Sequence, residues 1–338
     1  MPTRSIKFLI VYASLLALCS CGHGAGNAEE IYISERDNVE EAVLIAIEDS
    51  LPDVHGYSSI YILGDTLIIR DFKSNDKLFA AYDINSRKYM GSFGKFGNGP
   101  GEIANFGGIF FDPQNRILYG SNLNQWHIAG FQLDSALAKP DYNAFVKTKI
   151  NSVDGPTPVS VDPYFVNDSM VICSVYIPND EWNKLENHLG HLNLNTGITT
   201  VFDSLPKGDT SHNSVAISPE NNLIVMAGKR NDRIRILDMN GKLHKVIYGP
   251  ERNNTDRNTT YFTHIIVCGD KIYAAYNGKN VRERLYGEDI IVSSIDGEYI
   301  KTIHVGLPIT GLAYHKGTNR LYISTDGEPQ FSYIQLAD

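Results

Sequence analysis

The repeat that decides the fold reads SVAISPENNLIVMAGKRNDRIRILDMNGKLHKVIY, at residues 214–248. Four short apolar runs alternate in it with turn signals, which include Pro219 after the first run and Asn240-Gly241 before the last. An Asn-Gly pair between apolar runs is typical of a tight β-hairpin, because the type I′ turn needs positive φ at both central positions. The stretch is therefore predicted to be a meander of four antiparallel strands.

The same pattern recurs along most of the chain, with a period of roughly 45 to 50 residues. Its copies begin near residues 57, 108, 158, 214, 261 and 309. Four strands per copy at this period are the signature of a β-propeller, in which each blade buries its faces against its neighbours. The sequence therefore predicts an all-β fold, a six-bladed β-propeller. The alternative is a pair of β-sandwiches, which would require neither an even period nor a missing final strand.

The last blade lacks a strand. The sixth copy stops at Asp338 after only three strand-like runs, whereas the other copies contain four. An apolar run, AVLIAI at residues 42–47, precedes the first copy. We expect this N-terminal run to complete the last blade as its outer strand, because such pairing closes the ring and removes an unpaired edge.

A glycine-rich turn separates the first copy from the second and reads GKFGNGPGE at residues 94–102. Glycine tolerates positive φ and close backbone approach, so the turn is interpreted as a tight crossover between blades. It resembles the Gly-x-Gly-Pro-Gly-Glu turn of the TolB-like six-bladed propeller lipoproteins of Bacteroidetes. The resemblance implies a propeller fold and a location in the cell envelope, but no defined activity.

The N-terminus reads as a targeting segment. Arg4 and Lys7 precede an apolar run from Phe8 to Leu18, which is typical of a secretory signal. This run of about eleven residues is too short to span a bilayer, which takes about twenty. It ends in LCSCG at residues 18–22, which resembles the lipobox of bacterial lipoproteins. An ordinary cleaved signal is the alternative interpretation.

Cys21 fits the lipidated position of that lipobox. The chain then divides into a signal peptide (1–20), a flexible tether (21–30) and a single propeller domain (31–338). Two or more lipid chains make membrane attachment stable. We therefore expect a bacterial envelope protein that is held by its lipid anchor to the outer membrane.

Composition excludes several classes of function. The net charge is -9, from 30 Lys and Arg against 39 Asp and Glu, so no basic surface is expected for nucleic acid. Cys173 and Cys268 lie in separate apolar runs and are expected to be two buried thiols rather than a disulfide. Enzyme motifs such as a phosphate-binding glycine loop, a nucleophile elbow or paired metal-binding histidines are absent, and we expect neither a cofactor nor a metal.

Binding residues are expected on one face of the propeller. The loops from second to third strands share that face with the loops that enter each first strand, and they converge over the central channel. The candidate binding residues in these loops are Arg70, Glu102, Asn122, His212, Arg230, His264 and Tyr276. Arg70 and Arg230 would lie across the channel mouth from each other, where bidentate hydrogen bonds favour an anionic group such as a carboxylate.

Three classes of function fit these observations. The first is a non-catalytic binding module that holds an envelope protein, a peptide or a glycan against one propeller face. The second is an enzyme that resembles the calcium-dependent lactonases or lyases with six blades. Its hard cation would take oxygen ligands from residues such as Glu102, Asn122, Asn213 and Asn277. The third is a structural or assembly role within an envelope complex.

Overall fold

The structure, a computed structural model, describes most of the chain. The described residues are 28–47, 54–56, 58–139, 141–151, 157–158, 163–178, 185–202 and 212–337. The predicted signal peptide, Cys21 and most of the predicted tether lie outside them. In the described part, no helix combines the length and the apolar character that a membrane crossing needs.

The strands of the described residues form six sheets, one for each blade. The N-terminal segment supplies β1 (Glu29–Tyr32), β2 (Val39–Glu41) and β3 (Ile45–Ala46). Blade 1 contains β4 (Ser58–Leu63), β5 (Thr66–Asp71), β6 (Lys77–Asp83) and β7 (Lys88–Lys95). Blade 2 contains β8 (Phe106–Asp112), β9 (Ile117–Asn122), β10 (His127–Gln132) and β11 (Phe145–Lys149), with α1 (Leu133–Ala138) between the last two strands. Blade 3 contains β12 (Thr157–Pro158), β13 (Tyr164–Asn167), β14 (Met170–Pro178), β15 (Leu185–Asn193) and β16 (Thr199–Val201).

Blades 4 to 6 follow the same antiparallel order. Blade 4 contains β17 (Asn213–Ser218), β18 (Leu223–Gly228), β19 (Arg233–Asp238) and β20 (Leu243–Tyr248), with a 3₁₀ turn at Pro219–Asn221. Blade 5 contains β21 (Thr259–Cys268), β22 (Lys271–Asn280), β23 (Asp289–Ser294) and β24 (Tyr299–His304). Blade 6 contains β25 (Ile309–His315), β26 (Arg320–Thr325) and β27 (Phe331–Gln335), with a 3₁₀ turn at Lys316–Thr318. The predicted six-bladed propeller is confirmed, and the pair of β-sandwiches is wrong.

The core lies between the blades. Among the described residues, six buried apolar clusters each fill the space between two neighbouring blades, including the last and the first. Successive side chains of one strand point to opposite faces. Thus Ile68 packs between blades 1 and 2, whereas Leu67 and Ile69 pack between blades 6 and 1. Both faces of each blade are buried, which explains why the second strands read as unbroken apolar runs.

The N-terminal segment at residues 28–47, named the strap here, adds a strand to three consecutive blades. β1 pairs in parallel with β20 of blade 4, and β2 pairs in parallel with β24 of blade 5. β3 pairs antiparallel with β27 as the fourth strand of blade 6. The expected closure of the last blade is confirmed, although only Ile45–Ala46 of the apolar run forms the strand. The sequence did not predict β1 or β2, and β1 begins two residues before the boundary expected for the propeller domain.

The two described thiols are separate, as expected. Cys173 lies between blades 2 and 3, and Cys268 lies between blades 5 and 6. Burial raises the pKa of the Cys173 thiol to about 12, and it also raises the pKa of Cys268. Because the thiolate is the reactive form, both side chains are inert packing groups at neutral pH.

Candidate functional site

The candidate site is the central channel, which is walled by the innermost strand of each blade. Two cavities of about 650 Å³ and about 340 Å³ occupy its two ends. They meet at Ser59, Tyr61, Ile109 and His264, which line both. The larger cavity opens on the face of the propeller where the second strand of each blade ends and the innermost strand begins. This is the face on which the binding residues were expected.

Three cations among the described residues line the larger cavity, named the cationic cavity here. Arg70 comes from the end of β5 in blade 1, whereas Lys229 and Arg230 directly follow β18 in blade 4. No described residue that lines this cavity is an aspartate or a glutamate. In a chain with a net charge of -9, the described wall of the cationic cavity is thus positively charged.

Arg70 is held in place by the neighbouring blade. Its Nη1 donates to the carbonyl oxygen of Gly107 at 3.0 Å, and its Nη2 donates to the carbonyl oxygen of Phe106. Its guanidinium also lies over the ring of Phe72, with Cζ 4.1 Å from the centroid. Carbonyl oxygens and an aromatic face orient an arginine. These contacts thus hold the guanidinium of Arg70 at a fixed place in the cavity wall.

Arg230 is anchored in the same manner on the opposite side. Its Nη1 lies 3.3 Å from the carbonyl oxygen of Asn258 and 3.3 Å from Oγ1 of Thr260. Lys229 is fixed through its backbone, because its N–H donates to the carbonyl oxygen of His212 at 2.7 Å. The Arg230 contacts tie the end of β18 to the beginning of β21 in blade 5, whereas the Lys229 contact lies within blade 4.

His264 lies where the two cavities meet. Its Nδ1 is buried, and no hydrogen-bond partner for it lies among the described residues. Burial, with a smaller effect from the charge of Lys229, lowers the pKa of His264 to about 4. The imidazole is therefore neutral at physiological pH and adds no fourth positive charge to the channel.

His212 lies at the rim of the cationic cavity rather than in its wall. Partial burial and the charges of Lys229 and Arg230 lower the pKa of its imidazole. His212 is thus a neighbour of the two blade 4 cations and is neutral beside them at physiological pH. Of the seven residues predicted from the sequence, Arg70, Arg230 and His264 line the cationic cavity, and His212 adjoins it.

The other three predicted residues do not line the described channel. Glu102 closes the glycine-rich turn: its carboxylate accepts the N–H of Gly99 at 3.0 Å and lies 2.6 Å from Nζ of Lys95. Asn122 is buried at the end of β9, opposite Phe106 in the ladder. Tyr276 lies within β22, where the guanidinium of Arg36 lies 4.7 Å from its ring centroid.

The oxygen donors considered for a calcium site have separate partners. Glu102 pairs with Lys95, whereas the Nδ2 of Asn213 donates to Oδ1 of Asn187 at 3.3 Å. The Nδ2 of Asn277 donates to the carbonyl oxygen of Arg284 at 3.0 Å. Within the described ranges, no group of three His, Cys, Asp or Glu side chains could hold a metal ion.

The sequence interpretation missed several wall residues of the cationic cavity. Lys229 precedes Arg230 in the same loop, so the reasoning that selected the arginine could have found the lysine. Phe72 follows the end of β5 by one residue and is 38% exposed, which is unusual for phenylalanine. Tyr286 and Leu285 belong to the long connection after β22, for which the repeat pattern gave no signal.

The comparisons with known proteins concern the family and the fold. A family model described as "TolB-like 6-blade propeller-like" matches residues 57–316. No curated protein matches the sequence significantly. Three solved structures with a similar fold illustrate its range.

A gluconolactonase from Xanthomonas campestris is 12% identical with a TM-score of 0.58, over 89% of this chain and 91% of that chain. A member of the DUF4221 family from Bacteroides vulgatus is 13% identical with a TM-score of 0.57, over 87% of this chain and 97% of that chain. A chain of a nidogen/laminin complex is 10% identical with a TM-score of 0.50, over 76% of this chain and 83% of that chain. At these identities, the likeness shows the shared fold alone.

Proposed function

We propose that this chain, which belongs to the TolB-like six-bladed propeller family, is a non-catalytic binding module that holds an anionic ligand in the cationic cavity. The observation that carries the proposal is the set of three cations, Arg70, Lys229 and Arg230, in a wall without a described carboxylate. Arginine forms paired, charge-assisted hydrogen bonds with carboxylates that lysine cannot reproduce. The ligand would be presented by an envelope protein, a peptide or a glycan.

The placement of the arginines supports binding. Arg70 is partly buried and Arg230 is exposed, and both donate to backbone carbonyls and line a cavity of about 650 Å³. A cavity of that size is in the range of ligand sites, and its opposite charge would attract an anion from solution.

The cell-envelope part of the proposal rests on the lipobox. Cys21→Ser should release the protein from the membrane fraction, because lipidation needs the thiol of this residue. Cys19→Ser is the matched control, since it keeps Cys21, and it should remain in the membrane. Retention of the Cys21→Ser protein in membranes washed with high salt would contradict the lipid anchor.

A pull-down from solubilised membranes tests the binding function. The double variant Arg70→Gln/Arg230→Gln removes two charges but keeps hydrogen-bond donors, so it should fold with an unchanged thermal transition and lose its partners. Arg252→Gln/Arg320→Gln is the matched control, because these arginines lie over Tyr32 and Tyr333, away from the cationic cavity. The double variant Cys173→Ser/Cys268→Ser should also keep its partners if it folds.

Three results would overturn the binding proposal. Equal recovery of partners by the Arg70→Gln/Arg230→Gln protein would place the interaction on another face. Hydrolysis of gluconolactone by the purified protein with added calcium, and its loss with a chelator, would favour the lactonase-like alternative. If the partners are recovered as a fixed stoichiometric complex that does not depend on the arginines, an assembly role replaces the binding role.

A further inference from the structure

The hairpin between β9 and β10 of blade 2 presents an exposed tryptophan. His127 pairs with Asn122 in the ladder, so residues 123–126 form a four-residue loop. Trp126 is the last residue of this loop and is 46% exposed, which is unusual for so large an aromatic side chain. Its carbonyl oxygen accepts the N–H of Ile150, directly after β11, at 2.8 Å. The backbone that carries the exposed ring is therefore anchored to the outer strand of the blade.

The turn conformation does not explain why this residue is a tryptophan. Trp126 has a φ of 50°, in the left-handed region that glycine and asparagine adopt most readily. Four other non-glycine residues of the described chain have a positive φ, and none of them is aromatic: Arg87, Arg116, Asn222 and Asn319. Residues held in such conformations are concentrated at ligand sites.

Core packing does not explain the tryptophan either. In the described part of the chain, Trp126 belongs to none of the six apolar clusters between the blades. Its neighbour Ile128, two residues later, is a buried member of one of them. Neither the backbone nor the core therefore requires an indole ring at position 126.

Three exposed amide side chains lie at the same place. Asn124 and Gln125 precede Trp126 in the loop, and Asn98 belongs to the glycine-rich turn. The Nδ2 of Asn124 lies 3.4 Å from Oδ1 of Asn98, and the Nε2 of Gln125 lies 3.4 Å from the carbonyl oxygen of Asn98. These contacts are long and weak. Each amide has two N–H donors and an oxygen with two lone pairs, so most of their hydrogen-bonding capacity remains for a ligand.

An aromatic ring beside uncharged amides is complementary to a neutral sugar. One face of a pyranose presents C–H groups that pack on an indole, and its hydroxyl groups both donate and accept hydrogen bonds, as amides do. The charged residues of the glycine-rich turn are paired with each other, because Nζ of Lys95 lies 2.6 Å from Oε1 of Glu102. An uncharged ligand therefore fits this surface better than an ionic one.

We propose that Trp126, together with Asn98, Asn124 and Gln125, forms a binding site for a neutral glycan, named the tryptophan platform here. The inference goes beyond the proposed function, because its ligand is uncharged and its four residues lie outside the wall of the cationic cavity. Leu123 of the same loop lines that cavity, so the two sites adjoin on one face of the propeller. A proline-rich peptide, which also docks on aromatic side chains, is the competing occupant.

The fluorescence of Trp126 tests the inference directly. The chain has two tryptophans, so Trp182→Phe leaves Trp126 as its only indole. This protein is titrated with maltohexaose, cellohexaose and hexa-N-acetylchitohexaose, and with decaproline as the peptide probe. We expect at least one sugar to shift the emission to shorter wavelength, because stacking removes water from the exposed ring. A shift with decaproline alone would assign the platform to proline-rich peptides, and no shift with any probe would also overturn the glycan site.

Trp126→Gly separates a binding role from a structural one. Glycine adopts the φ of this position without strain, so the unfolding midpoint of the variant should not fall. Calorimetry with the sugar that gave the shift should show affinity weaker by about tenfold or more, as for an aromatic residue that dominates an interface. A lower midpoint with unchanged affinity would mean that the tryptophan serves the fold, and the inference would be wrong.

Two further variants keep the test decisive if Trp126→Gly does not fold. Asn98→Ala changes an exposed side chain and should weaken binding of the same sugar by about threefold to tenfold, the range for one lost hydrogen bond. Tyr32→Ala is the matched control, because Tyr32 is 57% exposed and lies in the strap, on blade 4, and it should keep the full affinity. Equal affinities of the Asn98→Ala and Tyr32→Ala proteins would contradict the tryptophan platform.

Discussion

Arg36 and Asp232 form a buried ion pair between the strap and blade 4. The Nη2 of Arg36 lies 2.7 Å from Oδ1 of Asp232, and its Nη1 lies 3.2 Å from Oδ2, which is the bidentate arrangement of an arginine with a carboxylate. The Asp232 side chain is fully buried, and that of Arg36 is 10% exposed. Gly249 fits against the pair, because a Cβ there would overlap both side chains. The strap is therefore held to the blade by this buried ion pair as well as by strand pairing.

Removal of one partner should destabilise the protein strongly. Arg36→Leu leaves the Asp232 carboxylate buried without its countercharge, which typically lowers the free energy of unfolding by about 3–5 kcal/mol. The double variant Arg36→Leu/Asp232→Leu should regain most of that loss, because no uncompensated charge remains. Denaturant titration measures both. A double variant that is as unstable as the sum of its single variants would contradict this explanation.

The surface offers a matched control for the buried pair. The Nζ of Lys316 lies 2.6 Å from Oε2 of Glu220, which is shorter than the contact in the buried pair, but the two side chains are 78% and 51% exposed. Water screens such a pair, so Lys316→Ala should leave the unfolding transition unchanged within error. Burial rather than distance thus decides which ion pair contributes to the free energy of unfolding.

Ring closure by the strap can be tested with proline. The N–H of Ile47 donates to the carbonyl oxygen of Phe331 at 3.0 Å, directly after β3. Ile47→Pro removes this donor from the edge of blade 6 and should lower the free energy of unfolding by about 1 kcal/mol or more. Val43→Pro is the control, because Val43 is 76% exposed and lies outside the strap strands. Equal thermal transitions for the two variants would mean that β3 does not close the ring.

Gly101, in the glycine-rich turn after blade 1, should depend on two properties of glycine: its tolerance of a positive φ and its lack of a Cβ. Gly269, which lies outside this turn, is the control for the first property alone. Gly101 has a φ of 72°, and a Cβ there would overlap the Cβ of Asn143. Gly269 has a φ of 59°, but a Cβ there would meet nothing within 4 Å. Gly269→Ala should lose about 1–2 kcal/mol from the left-handed backbone alone, and Gly101→Ala should lose more. Similar unfolding midpoints for the two variants would mean that the overlap with Asn143 does not destabilise the Gly101→Ala protein.

The blades were predictable because their signals are local, whereas the strap strands were not. Asn240-Gly241 and the apolar runs beside it determine a hairpin without reference to the rest of the chain. β2, by contrast, reads Val-Glu-Glu and has three exposed residues, so no pattern marks it as a strand. Its partner is the edge of β24, more than 250 residues later in the sequence. Pairing with a remote edge supplies the hydrogen bonds that this short polar segment could not obtain alone.

The site was partly predictable for a related reason. Arg70 and Arg230 lie near the ends of the second strands of their repeats, so the repeat pattern placed them on one face without further information. Tyr276 was assigned to a loop, but β22 continues to Asn280 and carries the ring between blades, where it contacts Arg36. Glu102 was assigned to the same face, but Lys95 and the N–H of Gly99 hold it within the turn. These positions depend on strand length and on tertiary partners, which the repeat does not encode.

The pH dependence of stability should reveal the buried state of His264. Its pKa is about 4 in the folded protein, below the ordinary value of 6.5, because burial disfavours the imidazolium. The unfolded chain therefore binds a proton that the folded protein does not, as the pH falls from 6.5 towards 4. The free energy of unfolding should fall over that window by at most about 3 kcal/mol from this residue.

His264→Gln should flatten this acid decline, and His304 provides a control of opposite sign. A hydrogen bond to Asp289 raises the pKa of His304, so its stabilisation is complete below 6.5 and is lost as the pH rises through its folded value. His304→Gln should therefore change the slope above neutral pH and leave the acid decline intact. Denaturant midpoints at roughly pH 4.5, 6 and 8 distinguish the two slopes. If His264→Gln keeps the full acid decline, the imidazole of His264 is accessible to protons in the folded channel, and its assignment as a neutral residue of the channel wall is wrong.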